Sequence, residues 1–224
     1  RRGRESLRRG ASRPQRIREL EVLGAIARLS SQAGPVEQVG GDILDMAAPA
    51  VGADAAVLLL YDARTGMLRA AAASGIPEGL WRTLEVDVSD NCNKVFMAQG
   101  RSLMVNDVSQ ERRFKMQLAR AVGARSALIV PIRYEGSPVG TLTFYAVAAH
   151  RRFDGVTVAV AELIANEAGD VLERTRLQEE VREERERAGR VLAHIGDGVF
   201  FVDGTGVVRL WNPAIAAVTG LDSD

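Results

Sequence analysis

Few residue types in this sequence could carry out catalysis or bind a metal ion. The 224 residues include one cysteine, Cys92, and two histidines, His150 and His194. Neither histidine lies near a suitable acid or nucleophile in the sequence, and no set of His, Cys and Asp residues has metal-ligand spacing. The glycine-rich loop that cradles phosphates is absent as well. We therefore predict that this segment is not an enzyme and that any catalytic output domain lies outside it.

Cys92 is the one residue with a conceivable redox role. It lies at the start of a helix predicted over residues 91–99, where the helix dipole favours the reactive thiolate. Reductase chemistry needs a second thiol to resolve the oxidised one, and the chain has none. A packing role is therefore favoured. A single cysteine also precludes an internal disulfide, which predicts a reducing, cytoplasmic location.

Charge and hydropathy argue against several classes of partner. The 29 basic residues balance the 29 acidic residues, so no general attraction to nucleic acid or anionic membranes is expected. No apolar run approaches the ~18 residues of a membrane-spanning helix. Residues 1–16 are rich in arginine and glycine, and we predict a flexible basic tail there. Because the chain begins at Arg1 without a methionine, we interpret it as a segment of a longer protein.

The elements predicted after the tail combine helices and strands in an α+β order. Two helices come first, over about residues 14–30 and 36–51. Strands are predicted at residues 55–61, 67–73, 84–88, 102–106, 126–134 and 140–147, with helices inserted at 91–99 and 112–122. In the last strand Val139, Thr141, Thr143 and Tyr145 alternate with Leu142 and Phe144, so the two sets should lie on opposite faces. We predict a mostly antiparallel sheet with flanking helices.

One long helix is predicted from Phe153 to Ile195. About 40 residues of helix would be roughly 60 Å long, more than one domain can bury. We therefore predict a parallel homodimer, with residues 173–190 as a charged signalling-helix linker. The apolar stripe of the dimer seam comprises Val160, Ile164, Ala168, Val171, Leu177, Val181 and Leu192. The alternative is a single solvated helix with surface ion pairs.

Four motifs resemble the GAF domain. In chain order they are residues 105–114 (VNDVSQERRF), residues 123–132 (GARSALIVPI), residues 140–144 (GTLTF), and Phe153-Asp154 before the exit helix. The resemblance implies a GAF-like sensory domain over residues 17–172. It further implies that the first and last helices pack on one face of the sheet, while the inserted helices cover a small-molecule pocket on the other.

The resemblance also suggests which residues line that pocket. Aromatic and apolar side chains would form its walls, and a few polar side chains would anchor a ligand. On this basis we predict a lining of Trp81, Phe96, Asp107, Phe114, Leu118, Ser126, Thr143 and Tyr145. For each aromatic residue taken alone, a place in the core is favoured over a ligand contact.

The known ligands of GAF domains fit this sequence poorly. Relatives that bind cyclic nucleotides carry Phe-x-x-x-Asp-Glu, whereas Thr157 and Val158 follow Phe153 at the Asp-Glu positions. Bilin attachment requires a cysteine that residues 112–122 lack. Haem requires an axial ligand, and His150 is the one histidine within the domain. The ligand class stays open, and a GAF-type methionine sulfoxide reductase is disfavoured by the lone cysteine.

The last residues resemble the beginning of a PAS domain. The resemblance rests on residues 195–203 (IGDGVFFVD), residues 206–214 (GVVRLWNPA) and Thr219-Gly220. It implies a partial PAS-like domain over residues 191–224. We predict a ligand-sensing and signal-relaying module of a cytoplasmic signal-transduction protein, such as a sensor histidine kinase of a two-component system. The alternative is a ligand-free dimerisation and relay module with a filled core.

Overall fold

The chain divides into two compact units, Arg1–Arg176 and Leu177–Asp224. A computed structural model describes residues 24–26, 28–29, 34–88, 97–112, 116–148 and 153–220. The predicted basic tail lies outside the described residues, as do Cys92, Phe96, Phe114 and His150. Among the helices within these ranges, none is both long enough and apolar enough to cross a bilayer.

The first unit contains six strands and the start of a long helix. Its elements in chain order are α1 (Val36–Val51), β1 (Ala55–Asp62), β2 (Met67–Ser74), α2 (Glu78–Trp81), β3 (Glu85–Asp87), β4 (Leu103–Val105), α3 (Gln117–Ala121), β5 (Ser126–Tyr134), β6 (Ser137–Ala146) and α4 (Gly155–His194). Residues 24–26, 28–29 and 97–99 are also helical. The helix predicted over 112–122 is shorter in the structure, because α3 begins only at Gln117.

The six strands form one sheet in the order β3-β2-β1-β6-β5-β4. Every neighbouring pair is antiparallel, which confirms the predicted α+β class. A two-residue turn joins β5 and β6, and Glu135 and Gly136 adopt φ angles of 47° and 82° in it. Two positive φ angles are typical of the type I′ turn, whose twist matches that of the strands it connects. This tight hairpin fixes the register of the two longest strands.

One face of the sheet packs against α1 and the first part of α4. Leu128 and Phe144 from the strands meet Ile43 from α1 and Ile164 from α4 in a single apolar cluster. At Gly169 the helix comes so close to β5 that a Cβ atom would lie 2.4 Å from the backbone oxygen of Arg133. Such a contact is sterically forbidden, so a glycine is required at this position.

This packing corrects the predicted dimer seam. The structure buries Val160, Ile164, Ala168 and Val171 in the core of their own unit, each at most 7% exposed. They are therefore not available to a second copy, and the assignment of these four residues to the seam is wrong. Helical periodicity identifies an apolar face but does not say which surface covers it. By contrast, Leu177 and Val181 are 44% and 49% exposed.

The second unit begins in α4 and continues with β7 (Phe200–Val202), β8 (Val208–Trp211) and α5 (Pro213–Thr219). The two strands form an antiparallel hairpin. Asn212 caps α5 by accepting a hydrogen bond from the Ile215 backbone N–H, and Pro213 occupies the first turn. The side-chain amide of Asn212 also donates to the backbone oxygens of Leu192 and Asp197. This one buried side chain therefore ties the end of α4 to the hairpin and to α5.

Candidate functional site

A cavity of about 80 Å³ lies in the first unit on the sheet face opposite α1 and α4. Residues from five strands, from α3 and from the segments beside them surround it. The lining residues are Leu59, Leu68, Leu84, Val86, Met97, Met116, Gln117, Leu118, Ala119, Ile129, Thr141, Thr143 and Tyr145. Many of the apolar ones also belong to a second hydrophobic cluster, which is separate from the core under the helices.

Strand β6 supplies most of the polar atoms of the cavity. Thr141, Thr143 and Tyr145 all line it and are only 2%, 5% and 5% exposed. The intervening residues Leu142 and Phe144 belong to the core beneath the helices. This division confirms the predicted alternation from Thr141 to Tyr145, since successive side chains point to opposite faces of a sheet. Val139 is an exception, because it packs against the core beneath the helices rather than on the threonine face. One strand therefore contributes both to the cavity and to the packing of α4.

The hydroxyl group of Thr141 is buried without a hydrogen-bond partner among the described residues. The sheet register explains this, because Thr141 lies between Leu59 of β1 and Pro131 of β5. Neither neighbour has a side-chain donor or acceptor. Since buried polar groups in proteins are nearly always hydrogen-bonded, this atom indicates a missing partner inside the cavity.

The cavity is electrically neutral over its described lining. None of the lining residues is an aspartate, glutamate, lysine, arginine or histidine. Burial raises the pKa of the Tyr145 phenol above its ordinary value of 10.0, so this side chain keeps its proton at physiological pH. Outside the cavity, no group of three His, Cys, Asp or Glu side chains among the described residues could hold a metal ion. Apart from the Tyr145 phenol, the polar groups of the described lining are the hydroxyl groups of Thr141 and Thr143 and the amide of Gln117.

The structure brings together three of the pocket residues that the sequence predicted. Leu118, Thr143 and Tyr145 line the cavity. Trp81 does not, but packs against the adjoining hydrophobic cluster, with the Arg82 guanidinium 5.7 Å from its ring centroid. Asp107 is engaged in a local turn, where its carboxylate accepts hydrogen bonds from the backbone N–H and the hydroxyl of Ser109.

Ser126 lies on the wrong face of the sheet for the predicted role. It is fully buried at the start of β5. Its side chain points to the same face of β5 as those of Leu128 and Val130, which pack under the helices. Ala127 and Ile129 point to the opposite face and belong to the cluster around the cavity. The predicted residues Phe96 and Phe114 lie outside the described part of the chain.

The sequence prediction also missed Thr141. It shares a strand face with Thr143 and Tyr145, so the alternation already recognised in β6 would have placed it in the lining. The two methionines of the cavity, Met97 and Met116, carried no comparable signal because each lies at the edge of an inserted helical segment.

Solved structures with this fold come from proteins with different activities. A GAF domain of a phosphoenolpyruvate-protein phosphotransferase from Coxiella burnetii has a TM-score of 0.62 and 17% identity, and the match covers 73% of this chain and 98% of that one. Free methionine-R-sulfoxide reductase from Neisseria meningitidis has a TM-score of 0.59 and 17% identity, with 75% and 96% covered. A domain of a Sinorhizobium meliloti 1021 protein, described as a two-component sensor histidine kinase, has a TM-score of 0.53 and 24% identity, with 66% and 98% covered. At these identities the likeness establishes the fold alone.

A search of curated proteins found no match to this chain. A family model of the GAF domain matches residues 33–173, which is more than half of the chain. The matched segment includes the six-stranded sheet, most of the first hydrophobic cluster, all of the second and the part of α4 that packs on the sheet. On these grounds the chain belongs to the GAF domain family.

Proposed function

We propose that the first unit senses a small molecule bound in the cavity beside β6. The observation that carries this proposal is the unpartnered hydroxyl of Thr141. Leaving such a group buried and unsatisfied costs about 1–3 kcal/mol, and a ligand that hydrogen-bonds to it removes that cost. The surrounding leucine, methionine and valine side chains would bury the apolar part of the same ligand.

Strand β6 supports a route from the cavity to α4. Thr141 and Thr143 line the cavity, while Leu142 and Phe144 between them pack in the cluster that contains Ile164 and Ala168 of α4. A ligand that shifts β6 by a fraction of an ångström therefore changes the packing of the helix. Coupling between two such sites is typically about 1–3 kcal/mol. A relay of this kind works by population shift, because a ligand stabilises one of two existing arrangements.

The second unit offers an exposed surface on α4 for a partner helix. Leu177, Val181 and Val191 are 44%, 49% and 57% exposed. Together with exposed Ala188 they follow a spacing of four, seven and three residues. This spacing fits the heptad pattern of a two-stranded coiled coil, although Glu184 occupies the core position between Val181 and Ala188. We propose that a second copy of the chain covers this surface. The seam therefore passes through Val191 rather than through the half-buried Leu192 of the sequence prediction.

The charges beside this surface favour a parallel arrangement. With Val181 at the first heptad position, Glu180 and Arg185 occupy the two flanking positions that face a partner helix. In a parallel coiled coil with the two copies in register, Glu180 of one copy lies opposite Arg185 of the other. Opposite charges at these positions select partner and orientation more than they add affinity.

A ligand-free dimerisation module is the second candidate function. The cavity of about 80 Å³ is small beside the 300–1,000 Å³ that is common for ligand sites, and this favours a filled core. In that case the unpartnered hydroxyl would be a local defect, and α4 would serve only to hold two copies of the chain together. A sulfoxide reductase has weaker support, since the sequence contains a single cysteine.

Native mass spectrometry of freshly purified protein separates the two candidates. Sensing predicts a dimer that carries a small additional mass per chain, released on collisional activation. A dimer without additional mass, whose melting temperature is unchanged across a metabolite panel, would support the ligand-free module. Monomers at tens of micromolar, a concentration above the dissociation constant of typical weak interfaces, would contradict the coiled-coil dimer.

A further inference from the structure

We infer that the cavity selects a compact, uncharged and largely apolar molecule with a polar group that hydrogen-bonds to Thr141. The inference rests on the proposed sensing function and specifies its ligand by chemistry. It depends on three properties of the described lining: the absence of charge, the small volume and the position of the unsatisfied Thr141 hydroxyl group.

Charge is the strongest criterion. No described lining side chain is ionised, and the buried phenol of Tyr145 stays neutral because burial raises its pKa. An ion that enters such a site loses its hydration without gaining a countercharge, which is strongly unfavourable. The described lining therefore favours a neutral molecule over a carboxylate, a phosphate or an ammonium ion of the same size.

The volume and the wall chemistry limit the size of the ligand. A water-sized group requires about 10–15 Å³ by this measure of volume, so about 80 Å³ accommodates roughly six such groups. Nine of the thirteen lining residues are leucine, valine, isoleucine, methionine or alanine. Most atoms of the ligand must therefore be hydrocarbon.

The polar group of the ligand is defined by Thr141. Its hydroxyl can both donate and accept a hydrogen bond, so it pairs with either a carbonyl or a hydroxyl group. The cross-strand neighbours Leu59 and Pro131 leave no competing side-chain partner beside it. The ligand thus places one oxygen near the middle of β6 and directs its hydrocarbon part toward residues such as Leu118 and Ile129.

Four probes with six heavy atoms each test this chemistry on the full chain. Pentan-2-one and pentan-1-ol are neutral, butyrate is an anion and pentylammonium is a cation. Each is titrated into protein that carries isotope-labelled leucine and isoleucine methyl groups, with the methyl resonances of Leu118 and Ile129 as the readout. We expect saturable shifts with the ketone and the alcohol, and at least tenfold weaker binding of both ions.

A matched pair of variants tests the role of the hydroxyl group. Thr141→Val keeps the shape of the side chain and should weaken ketone and alcohol binding about tenfold, the effect of one lost hydrogen bond. Thr175→Val is the control, because Thr175 is equally buried but donates to the backbone oxygen of Val171 in α4, away from the cavity. It should leave both affinities unchanged.

The outcomes separate this inference from the proposed function. If butyrate or pentylammonium binds in the cavity as tightly as the neutral probes, the ligand class is wrong while sensing stands. The same holds if Thr141→Val and Thr175→Val bind the ketone equally well. If no probe shifts the cavity methyl groups and native mass spectrometry detects no retained molecule, both the ligand class and the sensing function are overturned.

Discussion

At the scale of single residues, the hydroxyl group of Thr141 is the feature with the clearest energetic consequence. It is buried between two apolar cross-strand neighbours, Leu59 and Pro131, and no described atom accepts or donates a hydrogen bond to it. Such a group is costly while the cavity contains no ligand. A protein that keeps an unsatisfied group beside a cavity loses stability in the free state and recovers it on binding.

Replacing this hydroxyl should therefore stabilise the free protein. We expect Thr141→Val to raise the free energy of unfolding by about 1 kcal/mol, because the substitution removes an unsatisfied group without leaving a void. Urea denaturation of ligand-free protein measures the change. The control Thr175→Val, which loses a satisfied hydrogen bond, should not raise stability. A destabilisation by Thr141→Val would mean that the hydroxyl already has a partner in the free protein.

Asp203 gives a pH-dependent prediction for the hairpin of the second unit. Its pKa falls from 3.8 to about 2, first because the Thr205 hydroxyl donates to the carboxylate and next because the Arg209 guanidinium does so. A depressed pKa means that the stabilisation is present above the unfolded value and is lost as the pH falls toward 2. Carbon-detected NMR of the carboxyl group should give a midpoint near 2. A midpoint near 3.8 would show that these hydrogen bonds are absent in solution.

At the scale of elements, β6 and α4 show what could be predicted from the sequence. The alternation of Thr143 and Tyr145 with Leu142 and Phe144 is a local property of one strand, and it was correctly predicted. The same rule applied to β5 would have excluded Ser126 from the predicted pocket, since its side chain points to the same face as that of Leu128. The isolation of Thr141 could not be predicted, because it depends on neighbours from two other strands.

The long helix shows the opposite limitation. Its extent was predicted well, since no proline interrupts residues 155–194 and α4 spans them. The role of its apolar stripe was not predicted correctly, because Ile164 and Ala168 face their own sheet rather than a partner helix. The spacing of apolar residues is the same whether a helix packs on its own sheet or on a partner helix, and only tertiary packing distinguishes the two. Leu177 and Val181 are exposed, and their burial by a second copy stays a prediction.

Two glycines of α4 provide a matched test of its packing on the sheet. A Cβ atom at Gly169 would meet the Arg133 backbone oxygen, whereas one at Gly189 would meet nothing within 4 Å. We expect Gly169→Ala to destabilise the first unit by about 1–3 kcal/mol through overpacking. Gly189→Ala should be neutral or should stabilise its helix by up to about 1 kcal/mol. Thermal unfolding monitored by circular dichroism measures both variants. Equal effects would contradict the close contact between α4 and β5.

At the scale of the whole molecule, the proposed relay requires two copies of the chain. Four exposed apolar residues on one helix face are a small interface, so orientation must be specified by charge as well. A charge exchange tests the proposed pairing of Glu180 with Arg185. Each single reversal, Glu180→Arg or Arg185→Glu, should weaken the dimer several-fold through like-charge contacts, and the double exchange should restore it. Sedimentation equilibrium measures the three affinities. Equal affinities for all variants would exclude the parallel register.

The central claim is that occupancy of the cavity changes the helix pair. The direct measurement is the distance between two spin labels at position 186 of the dimer, in a Cys92→Ser, Glu186→Cys variant, by pulsed electron paramagnetic resonance. Glu186 lies outside the seam and its side chain is 55% exposed, so a label there does not disturb the interface. Saturating pentan-2-one should shift the distance distribution. At a lower concentration, which fills the cavity with Thr141 but not the cavity with Thr141→Val, the added substitution should abolish the shift. An unchanged distribution, while the Leu118 and Ile129 methyl groups report a filled cavity, would contradict the relay.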